Sequence, residues 1–147
     1  MASNEKLLIE TLSPNEHIVR LLGRWKDKEG LCRSHPTNLR SNPDLILEYC
    51  SGGTWQEFLL DNTMNRDQTK QILYQLAKAL AHIHQNNIVH GDIKPSNILF
   101  HDESHSTVCV VDFGTAVKSL TWPVTRKFAG TLMYASPESM DSELQPA

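Results

Sequence analysis

The segment Val89-His90-Gly91-Asp92-Ile93-Lys94-Pro95-Ser96-Asn97-Ile98-Leu99 gathers a carboxylate, an ammonium and a carboxamide within a few residues. Asp92 and Asn97 are five positions apart, and a second carboxylate, Asp112, opens the tripeptide Asp112-Phe113-Gly114 fifteen residues after Asn97. A carboxylate can orient a hydroxyl and accept its proton. Carboxylate and amide oxygens suit a hard divalent cation such as Mg²⁺. A lysine can balance anionic charge in a water-poor cleft. Phosphoryl transfer to a hydroxyl asks for this set of groups.

The elements that must position these groups can be read from apolar spacing. Residues 3–12 place Leu8, Ile9 and Leu12 at helical spacing, and Pro14 ends that run. Ile18 to Leu22 predicts a short strand stopping at Gly23, and Leu45-Ile46-Leu47 predicts a buried strand punctuated by Ser51-Gly52-Gly53. A long helix is expected from Asp67 as N-cap to Gln85, with Ile72, Leu76, Leu80 and Ile83 as its core stripe and Leu73 and Ala77 beside them. Asn86-Asn87 ends it. Two short strands, Ile98 to Phe100 and Val108 to Val111, flank the polar turn 101–106. Residues 24–43 hold five basic and two acidic residues with two prolines, and read as a solvated polar loop.

Taken together, these motifs resemble the eukaryotic protein-kinase family of serine/threonine type. The Asp92-to-Asn97 spacing matches its catalytic loop, and Asp112-Phe113-Gly114 matches its magnesium-binding tripeptide. Gly130-Thr131 and Ala135-Ser136-Pro137-Glu138 resemble the close of an activation segment. The resemblance runs along essentially the whole chain. It implies an α+β, protein-kinase-like two-lobe fold, incomplete here. Residues 1–47 would be a remnant of the N-lobe, and 48–147 the hinge, catalytic loop and activation segment of the C-lobe.

The resemblance also implies roles. Asp92 would be the catalytic base and Lys94 would approach the transferring phosphate. Asn97 and Asp112 would hold Mg²⁺ against ATP. Asp44 to Gly53 resembles the passage from strand to hinge, with Leu47 as gatekeeper. The backbones of Glu48 and Cys50 would bond adenine, and Leu99 would pack beneath the ring. Taken alone, that stretch is a buried strand running into a Gly-Gly turn. Glu5 falls near the glutamate that pairs with a lysine in the N-lobe; a glutamate on a helix surface is the competing reading. Lys94, two residues past the base, and Thr131 match the serine/threonine branch and imply a protein hydroxyl as substrate.

Several departures stand beside the match. Gly91 replaces the arginine that usually precedes the catalytic aspartate and binds a phosphate on the activation loop. Arg126 and Lys127 occupy the usual phosphoacceptor region, so activity is expected not to depend on that phosphate; Thr121 and Thr125 are the acceptors left nearby. No glycine-rich loop or Val-Ala-x-Lys strand precedes Glu5, and the sequence runs nine residues past Glu138. The Ile72/Leu76/Leu80/Ile83 face is then expected to lack its usual cover, leaving a marginally stable chain or one that a partner covers. Two functions follow: an ATP-dependent kinase present as a fragment, or a non-catalytic, kinase-like interaction module. A small-molecule phosphotransferase of this fold fits less well with the Gly-Thr and Ser-Pro-Glu features.

Composition sets the outer bounds. The 147 residues carry 14 Lys plus Arg against 17 Asp plus Glu, a net charge of −3, which argues against a nucleic-acid partner. With 39% apolar and 21% charged residues and a mean hydropathy of −0.38, the chain should form a core. No apolar run is long enough to span a membrane, and the start lacks a signal-peptide pattern. Cys32, Cys50 and Cys109 form no Cys-x-x-Cys pair, so neither a disulfide framework nor a zinc site is expected, and an intracellular compartment, cytoplasmic or nuclear, follows. His82 and His84 lie two apart on a helix and would not converge on one ion.

Overall fold

A computed structural model describes residues 4–24, 45–118 and 129–140. The expectations for the loop 24–43 beyond Arg24, and for Thr121, Thr125, Arg126 and Lys127, lie outside the described residues.

Helix α1, Asn4–Leu12, buries Leu8, Ile9 and Leu12 and stops before Pro14. Strand β1 is Leu21–Arg24, later than the expected 18–22, and pairs antiparallel with β2, Leu45–Leu47. The earlier residues do different work. Ile18 forms a parallel bridge to Val110, with Val19 N donating to the Val110 carbonyl and Val110 N to the His17 carbonyl.

Helix α2, Trp55–Asp61, does not follow from apolar periodicity, and none of its residues is fully buried. Its signal is a capping box: the Thr54 hydroxyl accepts from Glu57 N at 3.1 Å while the Glu57 carboxylate accepts from Thr54 N at 2.9 Å. Helix α3, Arg66–Gln85, begins two residues before the expected position. Its N-cap is Asn65, whose side-chain oxygen accepts from Asp67 N and Gln68 N, while Gln68 reaches back to Asn65 N. Asp67 is therefore inside the first turn, where its charge still favours the helix dipole.

Three two-stranded antiparallel ladders hold the middle of the chain: β1 with β2, β3 (Ile88–Val89) with β6 (Val117–Lys118), and β4 (Ile98–Phe100) with β5 (Val108–Val110). Strand β5 is buried at all three positions, so it reads as an unbroken apolar run. A short helix, α4, covers Pro137–Met140.

The α3 stripe is covered by the chain itself, contrary to the expectation of an open face. Ile83 and Ala79 pack with Leu8, Ile9 and Leu12 of α1 and with Phe113, while Ile72 packs with Ile98, Phe100 and Val108. Ile72 and Ile83 are 1% and 0% exposed; Leu76 and Leu80 are half-buried. The adjacent Leu73 and Ala77 point outward with Tyr74. The two packed clusters place α3 behind the β3–β5 region, which fixes the loop carrying Asp92 to Asn97.

Candidate active site

The loop after β3 is anchored from below by His90, which is 1% exposed. Its Nδ1 accepts from Asp92 N at 3.2 Å, and its Nε2 donates to the Val111 carbonyl at 2.9 Å. A carbonyl can only accept, so the ring is neutral with its proton on Nε2. Burial pushes His90 below its ordinary value, against the pull of the Val111 carbonyl and the carboxylates of Asp112 and Asp92. Phe113, itself fully buried, meets the ring edge-on at 4.9 Å. His90 thus couples the Asp92 loop to the Asp112 loop.

Around Asp92 the contacts converge. Thr131 N donates to Oδ1 at 2.9 Å; Lys94 Nζ lies 3.1 Å from Oδ2 and donates to Thr131 Oγ1 at 2.6 Å. Asn97 Nδ2 donates to the Asp92 carbonyl at 2.8 Å and to Oδ2 at 3.2 Å. Burial raises the Asp92 pKa, but the Thr131 hydroxyl and N–H and the Lys94 ammonium outweigh it and hold the group below the ordinary carboxylate value. The group is a positioned carboxylate at neutral pH. A cavity of about 300 Å³ opens beside it, lined by Asp92, Thr131, Ser136 and the Leu80 and His84 end of α3.

Asp112 is exposed and adopts a left-handed φ of 60°, a conformation that costs a non-glycine residue energy and often marks a functional turn. Gly114 N donates to its Oδ1 at 3.2 Å. Val111 N donates to the Asn97 carbonyl at 3.0 Å, so the backbone links Asn97 and Asp112. Asn97 is 6% exposed, and its amide nitrogen is spent on Asp92. No donor among the described residues reaches its Oδ1, which fits an oxygen left for a hard cation. Gly91, at φ 84°, is also left-handed, and a Cβ there would meet the Thr115 carbonyl oxygen at 3.2 Å.

The expected hinge positions fall on two different ladders, Leu47 on β1–β2 and Leu99 on β4–β5, with Glu48 and Cys50 on the segment that follows β2. Leu47 packs on the main core, and Leu99 pairs with Cys109 while bridging to Thr54. Glu48 N donates to the Arg20 carbonyl at 2.9 Å and its side chain accepts from Arg20 N at 2.7 Å. Only the Glu48 carbonyl is therefore left for a ligand on that backbone unit. Cys50 is buried, and its carbonyl accepts from Gly53 N at 3.5 Å. Glu5 on α1 is half-buried. Burial raises its pKa first, the Asp112 carboxylate adds to this, and the Phe113 N–H opposes both.

Residues 1–146 match the protein kinase domain family. The chain belongs to that family. It is 30% identical over 136 residues to a calcium and calcium/calmodulin-dependent serine/threonine-protein kinase of Lilium longiflorum, covering 90% of this chain and 24% of the relative. It is 32% identical over 140 residues to a calcium/calmodulin-dependent serine/threonine-protein kinase of Malus domestica, covering 90% and 30%. With the serine/threonine-protein kinase PrkC of Bacillus subtilis it shares 39% identity over 97 residues, covering 64% and 15%. The chain thus spans a quarter to a third of the length of the first two relatives.

Within this kinase domain, the contacts of two residues escaped sequence reasoning. Thr131 was legible as the second residue of a Gly-Thr pair, but its bonds to Asp92 and Lys94 depend on contacts across 39 and 37 residues. His90 has no spacing signal of its own; the clue is its place two residues before a candidate base. No helix of the described residues is long and apolar enough to cross a membrane.

Proposed function

We propose that the chain carries the central part of an ATP-dependent protein serine/threonine kinase domain, with 1–47 from the N-lobe and 48–147 from hinge to activation segment. The observation that carries this reading is the Asp92–Lys94–Thr131–Asn97 constellation, in which a depressed carboxylate and an ammonium share one threonine. The relatives' names as serine/threonine-protein kinases support it.

In the transfer, a substrate hydroxyl docks beside Asp92, which orients it and takes its proton. The hydroxyl oxygen bonds the γ-phosphorus as the bond to the bridging oxygen breaks and ADP leaves. Lys94 balances the charge on the equatorial oxygens. Asn97 Oδ1 and the Asp112 carboxylate are the groups that would hold Mg²⁺, which neutralises phosphate charge when bound. The Glu48 carbonyl and Cys50 backbone bond adenine over Leu99, with Leu47 at the back. Gly91 leaves no side chain to receive an activation-loop phosphate, so that phosphate is not required.

The test is transfer from γ-labelled ATP with Mg²⁺ to serine- and threonine-containing peptides, using protein treated with phosphatase beforehand. Transfer is expected, and Asp92→Asn should lower it by roughly 10²–10⁴-fold while nucleotide binding persists. Nucleotide binding with no transfer by either form would support the non-catalytic module instead. That alternative draws on one observation: burial and the like charge of Asp112 raise the Glu5 pKa, where a paired cation would lower it.

A further inference from the structure

Behind the hinge, the Sγ atoms of Cys50 and Cys109 lie 3.5 Å apart. A ring nitrogen of His101 joins them, and the three donor atoms lie within 4.8 Å of one another. They come from three separate places: the hinge, the turn after β4, and the middle of β5. We propose that Cys50, Cys109 and His101 form a zinc site that pins the hinge to the β4–β5 ladder. This departs from the sequence expectation of no zinc site, because Cys50 and Cys109 meet only through folding.

The geometry suits that ion. Two thiolates on a tetrahedral zinc, each at ~2.3 Å, stand about 3.8 Å apart, close to the separation already present. His101 is preset for ligation. Its Nε2 donates to the Glu16 carbonyl at 2.9 Å, so in the neutral ring Nδ1 is the nitrogen able to take a metal. A backbone carbonyl behind a ligating histidine fixes the ring's tautomer and direction.

Charge points the same way. Cys109 is fully buried and Cys50 nearly so. Two thiolates in that setting would be buried negative charge without a partner. A divalent cation is the compensation such a pair lacks. Uptake replaces two S–H bonds with two Zn–S bonds and releases two protons; the imidazole binds through a ring-nitrogen lone pair. Two thiolates then cancel the ion's charge, and water completes the fourth position. Soft sulfur donors select zinc over magnesium, so this ion is distinct from any on Asn97 and Asp112.

The test uses the full chain, reduced with a phosphine, freed of metal and shown by circular dichroism to be folded. It is titrated with Co²⁺ as the probe, then with Zn²⁺. One equivalent of Co²⁺ should give a thiolate charge-transfer band and tetrahedral d–d bands that Zn²⁺ abolishes. His101→Ala should weaken binding by at least ~10-fold, and Cys50→Ser and Cys109→Ser by more. Cys32→Ser should leave it unchanged. The site is wrong if the folded chain gives no charge-transfer band, if binding follows Cys32, or if His101→Ala binds as well as wild type. A chain lighter by two hydrogens, whose Cys50 and Cys109 peptides stay linked until reduction and which takes up no metal once reduced, would show a disulfide in place of the site. His101 is half-buried, so its variant decides the matter even should Cys109→Ser fail to fold.

Discussion

Asp92 and His90 sit two residues apart and respond to burial in opposite ways. Asp92 keeps its charge because Thr131 and Lys94 more than offset the loss of water. If Thr131 is the controlling partner, Thr131→Val should raise the Asp92 pKa and move the acidic limb of the activity–pH profile upward. Thr131→Ser, which keeps the hydroxyl, should restore it. A profile unmoved by Thr131→Val would mean that Lys94 alone sets the charge. For His90 burial outweighs the Val111 carbonyl and the carboxylates of Asp112 and Asp92, and the ring is held neutral. Its folded pKa lies below the unfolded value of ~6.5, so in acid the unfolded chain binds the extra proton. The stabilisation is complete above that unfolded value and is lost as pH falls through the folded pKa. The melting temperature should therefore drop as pH is lowered below ~6.5. His90→Gln should remove the part of that slope due to His90, at a cost of roughly 1–3 kcal/mol if the Asp92 N–H or the Val111 carbonyl loses its partner. Measuring melts of both proteins across that range checks it.

At the scale of elements, α3 shows what apolar spacing can and cannot reveal. Its stripe from Ile72 to Ile83 is legible because burial of a helix face follows a fixed period, and both ends of the stripe are buried. Gln75 lies on the same buried face, yet a polar residue there carries no periodic signal. Its Nε2 donates to the Ser106 carbonyl at 2.7 Å and its Oε1 accepts from Val108 N at 2.9 Å, so it stitches α3 to the start of β5. Gln75→Met keeps the volume but leaves the Val108 N–H buried without an acceptor, and should cost about 1–3 kcal/mol. A lower urea midpoint at unchanged slope is the expected result. Helix α2 was illegible for the opposite reason: it buries no residue completely and rests on its capping box. The site divides along the same line. Asp92, Lys94 and Asn97 were legible together because one loop carries them, and Asp112 because it heads a distinctive tripeptide. Thr131, and the meeting of Cys50 with Cys109, depend on closure across long stretches of chain, which local spacing does not encode.

For the whole molecule, the balance of covered and uncovered apolar surface decides how the chain behaves in solution. The two core clusters seal α1, the inner face of α3 and β5, so instability does not arise from the stripe that sequence alone singles out. The apolar surface that remains lies elsewhere: Leu60 on α2 is 78% exposed and Met133 87%, with Leu73, Tyr74, Leu132 and Tyr134 also outward. Scattered exposed leucines are ordinary, but Leu132, Met133 and Tyr134 are consecutive. A net charge of −3 provides little long-range repulsion to keep such surfaces apart. The chain should therefore self-associate as its concentration rises, with a sedimentation coefficient that grows across a dilution series. Because the contacts involve exposed side chains, Leu60→Lys with Met133→Lys should raise the monomer fraction and leave the melting temperature nearly unchanged. If association instead came from partial opening of the core, the double variant would associate as wild type does and only stabilising conditions would suppress it. A wild-type monomer at every concentration, melting sharply and reversibly, would show that these side chains drive no association.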